Sequence, residues 1–428
     1  MTFIRSLLAA LVCASAILAS PAPHKRATEF LALDPMPGRG RPTGAAYFIT
    51  NEPSGNYVVA GSISSYGRLS FNRAVSTRGL GARGNNPNGN TGPDGLFSQG
   101  SVAVSSKSQV LAVVNAGSDT VTAFSIDPRN PLDINYIGQP VSSEGEFPNS
   151  LAFNQDGSRL CVLNIGMVNG VHCYQVDKQH GLTAVPETLR YIGNNQTTPP
   201  TGPAGTGSQI LFSEDNKKLL VLVKGIAPNP GYLLSWDVAA DGSLSKDYAR
   251  LNLNPGGMVP FSMNVIPGAE AILATDPGAG FGIYDFSDAK VGTNTTTGSK
   301  SSIVMIQGEM ASCWSTRSAR TGNYYLSDLG GALINEVHVD GNLAGSVVNR
   351  YPLPPLTTVM DSDVASLGWN DFLFVMQPNI TSVHVMSLAG AGKATNVGTY
   401  DVSGPAKAAG LTISVPHMQG MATFVTQR

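Results

Sequence analysis

Short apolar runs recur along this chain, each cut off by a cluster of Asp, Asn, Gly, Ser or Pro. Some alternate apolar and polar positions, as a strand with one buried face does. Others, such as LAVVN (111–115) and LLVLVK (219–224), are apolar throughout, which fits strands packed on both faces. The runs are organised into a repeat. Its unit is a strand, a turn containing Asp, Gly or Asn, a second apolar strand ending in a polar residue, a Gly-rich turn and a third strand. Residues 101–128 and 150–178 are the clearest copies. A third begins at Gln209, and weaker ones begin near Ser262, Ser312 and Asp363. The polar residue closing the second strand falls at Asn51, Asn115, Asn164, Lys224, Asp276, Asp328 and Gln377. These seven anchors lie roughly 50–60 residues apart, the length of a strand-only propeller blade.

The pattern therefore predicts an all-β, seven-bladed β-propeller of four-stranded blades. The first unit lacks an inner strand immediately upstream. The missing piece lies at the far end, where MQGMATF (418–424) resembles SQGSVAV (98–104), the inner strand of the second unit. The C-terminal strand is thus expected to complete blade one and close the ring, removing a free sheet edge.

Composition sharpens this picture. Gly (48) and Pro (28) supply the turns, and charged residues are only 13% with net charge −2, which argues against capture of nucleic acid or anionic membrane. Residues 1–19 have a short basic start, an apolar run over 6–18 and small residues at Ala19-Ser20, the form of a secretory signal peptide. That run is shorter than the ~20 residues of a membrane span. Residues 20–26 end in Lys25-Arg26 and resemble a dibasic pro-segment of fungal secreted proteins, leaving 27–428 as one propeller domain. The expected location is outside the cell, free or at the wall. In that compartment Cys161 and Cys173, on two strands joined by a short turn, are expected to form a disulfide, with Cys313 left as a buried thiol. Asn195, Asn294 and Asn379 begin N-x-Thr sequons and are candidate glycan sites. No His/Cys spacing suggests a metal site, and no cofactor is expected.

The repeats, PNSLAFNQDGSRLCVLN (148–164) above all, resemble the lactonase-type seven-bladed propellers, the 6-phosphogluconolactonase-like and fungal carboxymuconate cyclase-like proteins. YFITNEPSGNYVVAG (47–61) and QGMA (419–422) look like secreted members of that group. The resemblance implies the fold, and it implies His and Arg at the entrances of several inner strands, where they would bind an anionic carboxylate or phosphate and move protons. This chain departs from that pattern. Its seven entrances carry Gln99, Asn149, Gln209, Ser262, Ser312-Cys313, Asp361 with Asp363, and Gln419.

What remains is a ring of amides and hydroxyls with an acidic patch. Three uses stay open: satisfying backbone groups and channel water, binding a neutral or cationic ligand, or divergent catalysis. Glu144 and Glu146 could join Asp361 and Asp363 as paired carboxylates. His417, just before the closing strand, is the one histidine near a channel mouth and the candidate catalytic residue, with Lys224 or Arg83 as a nearby cation. The long Gly/Asn-rich connection 77–97 reads either as a lid over one mouth or as a plain flexible loop. Two functional classes follow. One is an extracellular, non-catalytic propeller, adhesin- or antigen-like, binding a wall or matrix glycan or a small neutral ligand. The other is a divergent lactonase or carboxymuconate cyclase-like enzyme acting on a small lactone or carboxylate.

Overall fold

The computed structural model describes residues 29–33, 42–89 and 91–427. The signal-like segment 1–19, the pro-segment 20–26 and their boundary at Ala27 lie outside the described residues. Seven antiparallel meanders stand around a common axis, one for each anchor. The innermost strands are Gln419–Val425 in blade 1 and Val102–Ser105, Pro148–Phe153, Gly207–Phe212, Met263–Val265, Ser312–Arg317 and Ser362–Leu367 in blades 2 to 7. They begin at one face of the ring, the entrance face, and end at the other, the far face.

Each blade has four strands at its core, and four blades are larger than the repeat implies. Short strands Phe30–Ala32, Val141–Ser142 and Arg190–Tyr191 extend blades 1, 2 and 3. The chain leaving the third strand of blade 5 lays Asn294–Thr296 parallel to Ala249–Asn252 at the rim of blade 4. These additions come from connecting segments whose few residues carry no clear alternation, so the repeat does not announce them.

The strands are apolar on both faces because every blade is sandwiched. Leu222 and Leu233 of blade 4 pack with Ile272 and Tyr284 of blade 5. Leu273 and Phe281 of blade 5 meet Tyr324 and Leu326 of blade 6, and Tyr325 and Ile334 of blade 6 meet Leu373 and Val375 of blade 7. Blade 7 closes on blade 1 through Phe372, Phe374, Phe48 and Val59. The ring is shut by the last strand: Gly44 pairs with Val425, Ala46 with Thr423 and Ile49 with Gln419.

Cys161 and Cys173 face each other across neighbouring strands of blade 3 and are joined by a disulfide, while Cys313 is a buried free thiol. The similarity of 98–104 to 418–424 extends to the backbone. Gly100 and Gly420 both sit at positive φ (91° and 75°). A Cβ there would lie 2.9 Å from Ser150 Oγ and 2.6 Å from Ser101 Oγ respectively, the serine at the next blade's entrance in each case.

Candidate functional site at the channel entrance

The seven anchors end their strands where the inner strands begin, so both sets of polar residues gather at the entrance face. All seven anchors are buried. Buried polar groups seek partners, and at this mouth the chain itself supplies many of them, while the Gln377 amide and the oxygens Asn149 Oδ1, Asn164 Oδ1, Asp276 Oδ2 and Gln419 Oε1 make no hydrogen bond to it. Residues 96–99, the end of the Gly-rich connection, dip into the entrance. Leu96, Phe97 and Ser98 are buried there.

Each carbonyl of that segment is held by a side chain from the surrounding blades. Asn149 Nδ2 of blade 3 donates to Leu96 O (3.3 Å), and Lys224 Nζ of blade 4 donates to Phe97 O (2.6 Å). Ser98 O accepts from Trp314 Nε1 of blade 6 (3.1 Å) and Gln419 Nε2 of blade 1 (3.3 Å). Gln99 O accepts from Ser150 Oγ (2.6 Å), and Gln99 N donates to Ser208 O (3.1 Å). The Gln99 side chain then crosses to blade 6. Its Nε2 donates to Ser315 O and its Oε1 accepts from Ser315 N, both at 2.9 Å, so the amide behaves as an extra strand residue.

The electrostatics of the mouth follow from this burial. Lys224 is 1% exposed and rests 4.9 Å over the Phe261 ring. Burial pushes its ammonium well below the usual lysine range, against the pull of nearby Asp94. Asp94, half-buried, is pushed up by loss of solvent and held down in part by Lys224. Its Oδ1 accepts from Ser98 N and Gln419 Nε2. Asp361 Oδ2 accepts from the same Gln419 Nε2 (3.1 Å) and from Gly420 N (3.0 Å). Burial and repulsion from Asp94 raise Asp361 to about 8. Burial also drives the Cys313 thiol up, leaving it protonated.

The acidic patch expected of Asp361 and Asp363 does not form. Asp361 is sealed under the entrance. Asp363 lies two residues along the inner strand, where Oδ2 accepts from Thr423 N (2.7 Å) and Oγ1 (2.8 Å), and burial raises it to about 6. The carboxylate that shares a donor with Asp361 is Asp94. Sequence reasoning missed Asp94 because it sits among turn residues; the Asp94-Gly95 step just before a Leu-Phe pair is the signal that could have flagged it. Glu146 is bonded to Thr198 at the rim of blade 3, away from this group.

Gln209 Oε1 accepts from Met263 N, and Ser262 Oγ bonds Thr275 and Ser315. Below the plug a cavity of about 420 Å³ occupies the axis, lined by every inner strand, with Val104, Leu151, Met263 and Met421 among its apolar atoms and Gln209, Asn264 and Asp363 among its polar ones. His417 stands on the rim of blade 1. Its Nδ1 lies 3.0 Å from Asn51 O, and burial lowers its pKa against the pull of Glu52. Glu52 is held by Ser414 N (2.6 Å) and Oγ (2.5 Å). Arg83 is the nearby cation that opposes His417 protonation. Among the described residues no cluster of three or more His, Cys, Asp or Glu could hold a metal. The sequon residues Asn195, Asn294 and Asn379 are all exposed.

The family model "Lactonase, 7-bladed beta-propeller" matches residues 41–193, the first three blades. No curated protein matches the chain. Solved structures share its shape. A candidate 6-phosphogluconolactonase from Bacteroides fragilis is 12% identical with a TM-score of 0.57, over 89% of this chain and 98% of that one. A protein from Lactobacillus plantarum is 13% identical at a TM-score of 0.58, over 89% and 99%. A second candidate 6-phosphogluconolactonase, from Bacteroides uniformis, is 13% identical at 0.57, again over 89% and 99%. The seven-sheet ring makes this chain a seven-bladed β-propeller, and residues 41–193 of it are similar to the lactonase-type propellers.

Proposed function

We propose that this protein is a non-catalytic, secreted propeller that binds neutral glycan of a cell wall or matrix and has abandoned the lactonase-type use of its channel entrance. The observation that supports this reading is the occupied mouth. The groups that would orient a substrate (Asn149, Lys224, Trp314, Gln419) are hydrogen-bonded to the backbone of residues 96–99. A lactone or carboxylate entering there would have to displace that segment and leave those donors unpaired, at roughly 1–3 kcal/mol each. The secretory form of residues 1–26, the disulfide and the exposed sequons support the extracellular part of the proposal.

A second reading, a divergent lactone hydrolase or cyclase, draws on the rim group of His417, Glu52 and Arg83, which joins a titratable imidazole to a carboxylate and a cation at the same face. One experiment separates the two. The full chain is expressed in a secretory eukaryotic host and recovered from the medium with Ala27 at its N-terminus. It is then assayed on 6-phosphogluconolactone and carboxymuconate beside His417→Ala. The proposal expects rates equal to the spontaneous reaction for both proteins. Turnover that the variant loses establishes the second reading instead.

A further inference from the structure

The far face carries a feature that neither the closed entrance nor the inter-blade cores account for. Of the three tryptophans, Trp236 and Trp314 are fully buried, whereas Trp369 is 95% exposed. It sits at the tip of the two-residue turn joining Ser362–Leu367 to Asn370–Gln377 in blade 7. Across the seam with blade 1, Tyr66 is 76% exposed at the tip of the turn between Tyr57–Ile63 and Leu69–Ser76.

Both turns are fixed. Arg320 Nη2 donates to Gly368 O (3.0 Å) while its Nε donates to Asp371 (3.2 Å). Gly67, at φ 74°, lies so close to Phe372 that a Cβ would sit 2.3 Å from its ring, which seats the Tyr66 turn against blade 7. Between the two turns is a cleft of about 400 Å³ lined by Thr43, Ser65, Leu367, Gly368, Val425 and Thr426. None of these side chains is charged. Among the described residues the hydroxyls of Thr43 and Ser65 make no hydrogen bond, while Thr426 Oγ1 donates to Thr43 O (3.0 Å) and keeps its lone pairs.

We infer that this seam between blades 7 and 1 is a binding site for a neutral saccharide, with a sugar ring stacked on Trp369 and Tyr66 and its hydroxyls taken up by Thr43, Ser65 and Thr426. A pyranose offers an apolar C–H face and a polar hydroxyl edge. Trp369 and Tyr66 each stand one residue from the cleft lining, next to Gly368 and Ser65, and an exposed aromatic that close to uncharged hydroxyls complements both. The inference rests on the glycan reading above and gives that reading a place on the molecule.

The test titrates laminarihexaose, chitohexaose and mannohexaose into the purified full chain, reading tryptophan fluorescence and heat. Because Trp236 and Trp314 are buried, an emission shift reports Trp369. At least one hexasaccharide should shift the emission and bind. Trp369→Ala should weaken that binding about tenfold or more, Tyr66→Ala severalfold, and Trp369→Phe less than Trp369→Ala. Both aromatics are exposed, so melting temperatures should stay at the wild-type value. Binding that Trp369→Ala leaves unchanged overturns the seam site while sparing the glycan reading. No binding of any of the three sugars overturns both. Lactone turnover together with Trp369-dependent binding overturns the non-catalytic reading and leaves the seam site standing.

Discussion

At the scale of single residues, the entrance shows how one set of side chains can be read two ways. Gln99, Asn149 and Gln419 were legible as polar groups at a channel mouth, because the repeat fixes where inner strands begin. Their partners were not legible. They are backbone atoms brought in by a loop with no periodicity of its own, and the Gln99–Ser315 bridge joins residues 216 positions apart. Lys224 illustrates the same limit: its place at a strand end is plain in the sequence, but its burial over Phe261 is not. The carboxyl of Asp361 carries a testable consequence. Its ordinary value is 3.8 and the folded protein holds it near 8. Between those values the unfolded chain has lost the proton and the folded one keeps it, so this group's contribution to stability is full below about pH 4 and is lost as pH rises through 8. We predict that Asp361→Asn, which keeps an oxygen for Gly420 N and Gln419 Nε2, flattens the fall in melting temperature over that window. Parallel slopes for variant and wild type would falsify the protonated assignment.

At the scale of elements, the blade was the most legible object in the sequence. Seven anchors, the closing strand and the Cys161–Cys173 pairing all follow from where polar residues interrupt apolar runs. The added rim strands escaped because Val141–Ser142 and Arg190–Tyr191 are two residues long, too short to show any alternation. The disulfide links cross-strand neighbours separated by 12 positions. A loop this short restricts the unfolded chain only modestly, so the bridge should contribute about 3 kcal/mol or less. The double substitution Cys161→Ala/Cys173→Ala should therefore still fold, with a reduced denaturation midpoint. A variant that does not fold would show that the bridge does far more than shorten the unfolded ensemble.

At the scale of the whole molecule, stability depends on ring closure. Without Gln419–Val425, strand Gly44–Ile49 exposes a bare edge, the Asp361 carboxyl loses Gln419 and Gly420, and Ser98 O loses one of its donors. Deleting the residues after Val415 should therefore abolish folding or lower the melting temperature sharply. Normal folding with an unchanged melt would sink the closure account. That coupling also explains why fold was easier to read than activity. Closure and inter-blade packing are written as patterns along the chain, whereas the use of the channel depends on which few atoms meet at its centre.

The closing strand has a further consequence, in time. Thr43 and Thr426, hydrogen-bonded at the seam, are 383 residues apart. A ribosome delivers the chain N-terminus first at about 5–20 residues per second. The first blade's partner strand therefore emerges tens of seconds after the strand it must cover. Until it does, strand Gly44–Ile49 lacks the inner partner it pairs with in the closed ring. The seam of blades 7 and 1 cannot form before that strand arrives. A saccharide site placed there would serve, in effect, as a mark that the ring has been finished.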